Sequence, residues 1–166
     1  MAEFLQNGTT RSRRTPFRRC AAGVVTIEFA LMLILGIVPL LMLTFTGVMI
    51  FAAKQTLSLA AAEGARASLR YGTLPERRQA ACTAASRSMQ WLLDFSRQTP
   101  NCSSASAAPI AVESVACTGT AGLQCMRVTV SYDYENHPFL PGTVALYGWT
   151  VGDLTSSAVA QLDMGN

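Results

Sequence analysis

The chain has 166 residues, 13 of them basic and 10 acidic, with half of all residues hydrophobic and only 14% charged. That balance is unusual for a soluble domain, and it is accounted for once one segment is assigned to a membrane. The formal charge of +3 is also unevenly placed: residues 1–23 hold five Arg and one Glu, and the remainder, with eight basic and nine acidic residues, sits near −1. The basic excess belongs to the front of the chain and not to a folded face, which argues against a nucleic-acid partner.

Residues 1–19 are polar, basic and without periodicity. Arg11, Arg13, Arg14, Arg18 and Arg19 lie just before an apolar segment, and basic residues in that position hold their end of the chain in the cytoplasm. From Phe29 to Ala53 no residue is charged. As a helix this run reaches about 37 Å, more than the roughly 30 Å hydrocarbon core of a bilayer. A removable secretory signal has an apolar core of only about 7–15 residues, so this segment is too long for one. A plain single-pass anchor needs nothing beyond the length and the arginines, but it leaves Glu28 unexplained. A carboxylate at the centre of a spanning helix costs about 2.5–3.5 kcal/mol, less near an interface, and such groups are usually paired and functional.

Gly23 followed five residues later by Glu28, at the opening of an apolar helix, resembles the N-terminus of type IV pilin-like proteins. The run Val24-Val-Thr-Ile-Glu28-Phe29-Ala30-Leu31, then the apolar span, then Ala60-Ala-Ala-Glu63-Gly64-Ala65-Arg66-Ala67, is similar to the TadE-like minor pilins, or pseudopilins, of tight-adherence pilus systems. The resemblance covers roughly residues 23–70. It implies that a prepilin peptidase cuts after Gly23, that Val24 becomes the new N-terminus, and that Glu28 and Phe29 serve assembly. The freed α-amino group has a pKa of about 8 and is mostly protonated at neutral pH, so Glu28 of a neighbouring subunit would neutralise it at the membrane boundary. The expected partners are the peptidase, other pilin or pseudopilin subunits and the inner membrane, with no small-molecule substrate. Gly36 and Pro39 depart from a regular span, since Pro removes one helical hydrogen bond and usually kinks the helix.

Five cysteines are present, and cleavage after Gly23 discards Cys20 and leaves Cys82, Cys102, Cys117 and Cys125. All four lie on the side that the arginines place outside, where disulfides persist. Three pairings are possible; Cys117 with Cys125 and Cys82 with Cys102 are favoured because each closes a local loop. A zinc site competes poorly, because no Cys-x-x-Cys is present and the one histidine, His137, lies in a Pro-rich loop.

One helix is expected from Val24 to Tyr71, spanning the membrane to about residue 53. In its second half Leu57, Ala60, Ala61, Gly64 and Ser68 form a stripe of mostly small residues, suited to packing on the chain's own domain or on the helices of other subunits. Thr73-Leu-Pro-Glu76 has capping-box spacing and opens a second helix reaching Arg97, with Trp91 and Phe95 assigned to the core and Arg77, Arg78, Arg87 and Arg97 to solvent. Thr99 to Pro109 is a loop. Ile110–Ala116 and residues 126–134 carry strand patterns joined as a hairpin, Asn136–Gly142 is a loop, 143–151 is undecided, and Leu154–Leu162 is a last strand pairing with 126–134.

The expected fold is α+β: a basic cytoplasmic leader, residues 1–23, cleaved; a long helix, 24–71; and a periplasmic domain, 72–166, with a second helix and about three antiparallel strands. Ninety-five residues make a small core, so disulfides and the first helix are expected to help it. No base stands near a nucleophile, the serines of 103–106 lack a Gly-x-Ser-x-Gly elbow, and no glycine pattern suits phosphate. The chain is therefore expected to be a structural subunit and not an enzyme, without metal or cofactor. The competing interpretation is an unprocessed single-pass anchor carrying a periplasmic binding or interaction domain.

Overall fold

The computed structural model describes residues 18–117, 123–145 and 152–162, the side chains of residues 18–24 excepted. The chain divides into two compact units, Met1–Leu41 and Met42–Asn166. The architecture is α+β.

In the first unit, helix α1 (Arg18–Met32) is followed by a π-helical turn (Leu33–Ile37), after which helix α2 (Val38–Ala67) begins. The Val38 N–H donates to the Leu33 carbonyl five residues back, one residue wider than an α-turn. The widening falls where Pro39 lacks a donor and its ring crowds the carbonyl of Leu35, so a π-turn stands where the sequence predicts a kink. Leu31, Ile34, Leu35, Leu40 and Leu41 are all exposed. Residues Val25–Ala67 form a helical run of 43 residues, apolar and long enough to cross a membrane.

The second unit is built against the remainder of α2. Thr46, Ile50, Ala53, Leu57, Ala60 and Gly64 repeat at alternating four- and three-residue steps and are all buried, as is Ser68 just past the helix end. This is the seam spacing of a helix packed along one line. The small-residue stripe is therefore used inside the chain's own domain. At Gly64 three elements converge: an added Cβ would meet Val128 Cγ1 at 2.9 Å, the Ala81 carbonyl oxygen at 3.1 Å and Ala85 Cβ at 3.2 Å.

Helix α2 ends at Ala67, four residues before the predicted end, because Leu69 and Arg70 close with tighter bonds to the carbonyls of Arg66 and Ala67. Gly72 then turns the chain with φ of +151°, a conformation that side chains disfavour. Helix α3 (Leu74–Ser88) starts on the capping box, with Glu76 Oε2 accepting both the Thr73 N–H and the Thr73 hydroxyl at 2.8 Å. These bonds, the backbone one first, hold the Glu76 carboxyl below its usual range. The predicted single helix 74–97 is two: Met89, at φ −108° and ψ 19°, separates α3 from α4 (Gln90–Ser96). The apolar period runs unbroken through this point, so the sequence carries no sign of the break. Arg97, in the left-handed region, closes α4, and the Gln98 N–H reaches the Leu93 carbonyl five residues back.

Strands β1 (Ile110–Ala116), β2 (Gln124–Tyr132) and β3 (Leu154–Leu162) form one antiparallel sheet in that order. Met126, Val128, Val130 and Tyr132 alternate into the core, paired across to Ile110 and Val112 on one side and Leu154 on the other. Helix α3 packs on β1 and β2. Strand β2 begins and ends two residues earlier than the pattern suggests. Its end is set by Asp133, whose Oδ1 accepts the Asn136 N–H and whose Oδ2 accepts the Asn136 side-chain amide, diverting the backbone from the ladder into a turn. Residues 118–122 of the hairpin and 146–151 of the undecided segment lie outside the described residues.

Two disulfides join Cys82 to Cys102, 20 residues apart, and Cys117 to Cys125, eight apart. Cys82 is buried on α3, so its bridge ties the loop after α4 onto the core. Substituting Ser at both Cys82 and Cys102 is expected to lower stability by about 3 kcal/mol, the loop-closure entropy of a ring of that size. A shift in the denaturant midpoint measures it, and an unchanged midpoint would remove the bridge from the account of the small core.

Candidate functional site

Three places could carry function: the start of α1, a groove beside α3, and an aromatic cluster under α4. Gly23 and Val24 lie within α1, and their side chains are outside the described part, as is the leader up to residue 17. Glu28 lies one turn on, exposed, among exposed Val25, Ile27, Phe29 (64% exposed) and Leu31. Among the described residues Glu28 makes no ion pair; the ion pair present is the exposed Arg66–Glu63 contact at 3.0 Å. A carboxylate on a largely apolar helix surface is costly in a membrane unless a partner meets it.

The groove between the end of α2 and α3 has a volume of about 390 Å³ and is lined by Arg70, Glu76, Gln79, Thr83 and Arg87 among others. Its one carboxylate is already engaged by Thr73. Among the described residues no group of three or more His, Cys, Asp or Glu side chains is placed to hold a metal ion.

The aromatic cluster is organised by Phe139, 8% exposed, at the centre of the loop bounded by two prolines. Its ring stacks on Tyr132 at 5.4 Å and 6° and lies 5.7 Å from Tyr134, 5.5 Å from Phe95 and 6.1 Å from Trp91. The prolines stop the segment from pairing as a strand, which leaves Phe139 free to fold back as a plug. Tyr132 donates its hydroxyl to the His137 carbonyl at 2.6 Å, and the hydroxyls of Tyr134 and Thr143 are 3.2 Å apart. Burial, then the nearby Tyr134 and Asp133, pushes the Tyr132 phenol up to about 12. Since the folded value lies above the ordinary value of about 10, this group favours the folded state below pH about 10, and the advantage is lost as pH rises through about 12. Alkaline titration followed by tyrosinate absorbance should show a late-titrating fraction that Tyr132→Phe removes. A titration unchanged by that substitution would contradict the burial of the phenol.

Trp91 and Phe95, assigned to the core by their helical spacing, are instead 38% and 48% exposed. Their neighbours Leu92, Leu93 and Ser96 take the buried side of α4. The available signal was the four-residue step between the two aromatics, offset from those neighbours.

The described residues combine a helix apolar and long enough to cross a membrane with a disulfide-bonded α+β unit whose core the later part of α2 helps build. Residues 23–66 match the family described as TadE-like protein. The matched stretch begins at Gly23 and ends beside Gly64, so it covers the apolar span and the part of α2 buried in the second unit. No curated protein and no solved structure matches the chain.

Proposed function

We propose that this protein is a minor pilin or pseudopilin that takes part in assembling a tight-adherence type IV pilus. A prepilin peptidase cuts it after Gly23, and the new amine of Val24 on one subunit meets Glu28 of another, with Phe29 in the same contact. The protein sits in the inner membrane with its arginine-rich end in the cytoplasm and its disulfide-bonded unit in the periplasm, and it works by contact and not by catalysis. The observation that carries this reading is the exposed Glu28 carboxylate without an ion-pair partner among the described residues, on a segment matched to the TadE-like family. A plain anchor gives no reason for an acid there, whereas a cut amine on a neighbouring subunit supplies its partner at the same depth. The test is the mature N-terminus, read by intact mass from cells with and without the peptidase. A chain starting at Val24 only when the peptidase is present supports the proposal; a retained leader in both leaves only a tethered interaction domain.

A further inference from the structure

We propose that the arginine-lined groove between the end of α2 and α3 receives the acidic turn Asp133–Asn136 of a second copy of this chain. The contact involves the second unit alone and does not depend on cleavage at Gly23. The charges of that unit are sorted by region. Residues 63–87 carry five Arg and two Glu, whereas residues 128–162 carry Asp133, Glu135 and Asp153 and no Lys or Arg. In the first region Glu63 is taken by Arg66, and Glu76 by Thr73. Arg70 and Arg87, both exposed, line the groove, and among the described residues neither is in an ion pair. Even against Glu76 the two guanidinium groups leave the groove with a positive excess, and the Gln79 amide adds an uncharged donor. A carboxylate is the group that this set of donors fits.

The acidic turn is held rigidly and projects. Asp133 accepts the N–H and the side-chain amide of Asn136, and the His137 N–H donates to the Asp133 carbonyl at 3.1 Å. Tyr132 and Tyr134, on either side of Asp133, are buried, so Glu135 is carried on an anchored, exposed tip. Asp153 joins it from β3, where it directly precedes Leu154, the cross-strand partner of Tyr132. Among the described residues neither Glu135 nor Asp153 is in an ion pair. The chain's own turn does not reach its own groove. Tyr132 stacks on Phe139, Phe139 backs Trp91, and Trp91 Nε1 donates to Thr56 Oγ1 at 3.2 Å, which sets the turn near the level of Thr56. Ala67, on the α2 side of the groove, is about 16 Å further along the helix at 1.5 Å per residue. A contact centred on either patch alone would set like charge against like, so the charges of two copies are met only when the groove of one takes the turn of the other.

The experiment uses the full chain in detergent micelles, with self-association read by sedimentation. Reversing the groove (Arg70→Glu with Arg87→Glu) or the turn (Glu135→Arg with Asp153→Arg) is expected to weaken association about tenfold or more, and high salt should weaken the parent in the same direction. Mixed together, the two reversed chains should recover the parent's association, because each groove again faces a turn of opposite sign. Arg97→Glu with Arg127→Glu makes the same change of net charge away from the groove and should associate as the parent does. Thermal unfolding checks that each variant is folded, and the single reversals Arg70→Glu and Glu135→Arg replace any double variant that melts early. A parent that stays monomeric, a reversal without effect, or a mixture of folded variants that fails to recover overturns the proposal. Equal loss in the Arg97→Glu, Arg127→Glu chain overturns it too, by assigning the effect to net charge. Association through the apolar helix would be indifferent to all of these changes.

Discussion

Replacing Glu28 with alanine is expected to give a subunit that is still cut after Gly23 yet fails to assemble. The substitution removes an acid from an apolar surface, so insertion into the membrane becomes easier and not harder. On the proposed pairing, what is lost is the partner of the Val24 amine, and leaving one member of a desolvated charge pair alone costs about 3–5 kcal/mol. Each 1.4 kcal/mol is about tenfold in an association constant, so the expected loss of subunit association is on the order of a hundredfold or more. Glu28→Gln tests charge against shape and should resemble alanine, because an amide cannot neutralise an ammonium. Gly23→Leu should produce the opposite defect, an uncut chain that keeps its arginines. Intact mass separates the two classes, and pilus display on the cell reports assembly. Normal pili from Glu28→Ala cells would sink the pairing mechanism even with cleavage at Val24 demonstrated.

The second large effect is expected at Gly64. Alanine there gains about 1 kcal/mol of helix propensity, but its Cβ would press on the backbone oxygen of Ala81 and on a methyl of Val128, a stiff, fully buried strand residue. Overpacking of this kind costs about 1–3 kcal/mol, so the net for Gly64→Ala is expected to be destabilising by about 1 kcal/mol. Gly64→Leu adds three more carbons with nowhere to go and should cost about 3 kcal/mol or more. On the same helix, Leu59 is exposed, and Leu59→Ala should leave the melting temperature of the folded unit nearly unchanged. At roughly 4 °C per kcal/mol, thermal unfolding resolves these differences. A Gly64→Leu chain that melts with the parent would mean that α2, α3 and β2 do not converge as described.

That convergence gives the TadE-like match a physical content. Ala60, Ala61, Gly64 and Ala65 are small because a second helix and a sheet pass close by within the same chain. The sequence allowed two uses for this stripe, packing on its own domain or on other subunits, and all of it is consumed by the first. The face of this part of α2 that stays uncovered is the opposite one, where Lys54, Gln55, Ser58 and Leu59 are exposed.

Local patterns determined a large share of this protein. The uncharged run after Glu28 sets out a helix apolar and long enough to cross a membrane, which the structure shows, and one-dimensional physics suffices because length and charge along the chain define such a helix. Alternation along Met126–Tyr132 fixed which side of β2 is buried, and the short separations of the cysteines favoured the pairing that is found. Only the tertiary structure decided the π-turn before Pro39, the break at Met89 and the fate of the aromatics. An unbroken apolar period from Ala81 to Ser96 is equally satisfied by one helix or two, and the difference lies in what surrounds it. Trp91 and Phe95 took the rim because Phe139, brought in by a loop more than 40 residues later in the chain, fills the place beneath them. Periodicity states which residues share a side of a helix; contacts between segments distant in sequence decide which of them the core has room to cover.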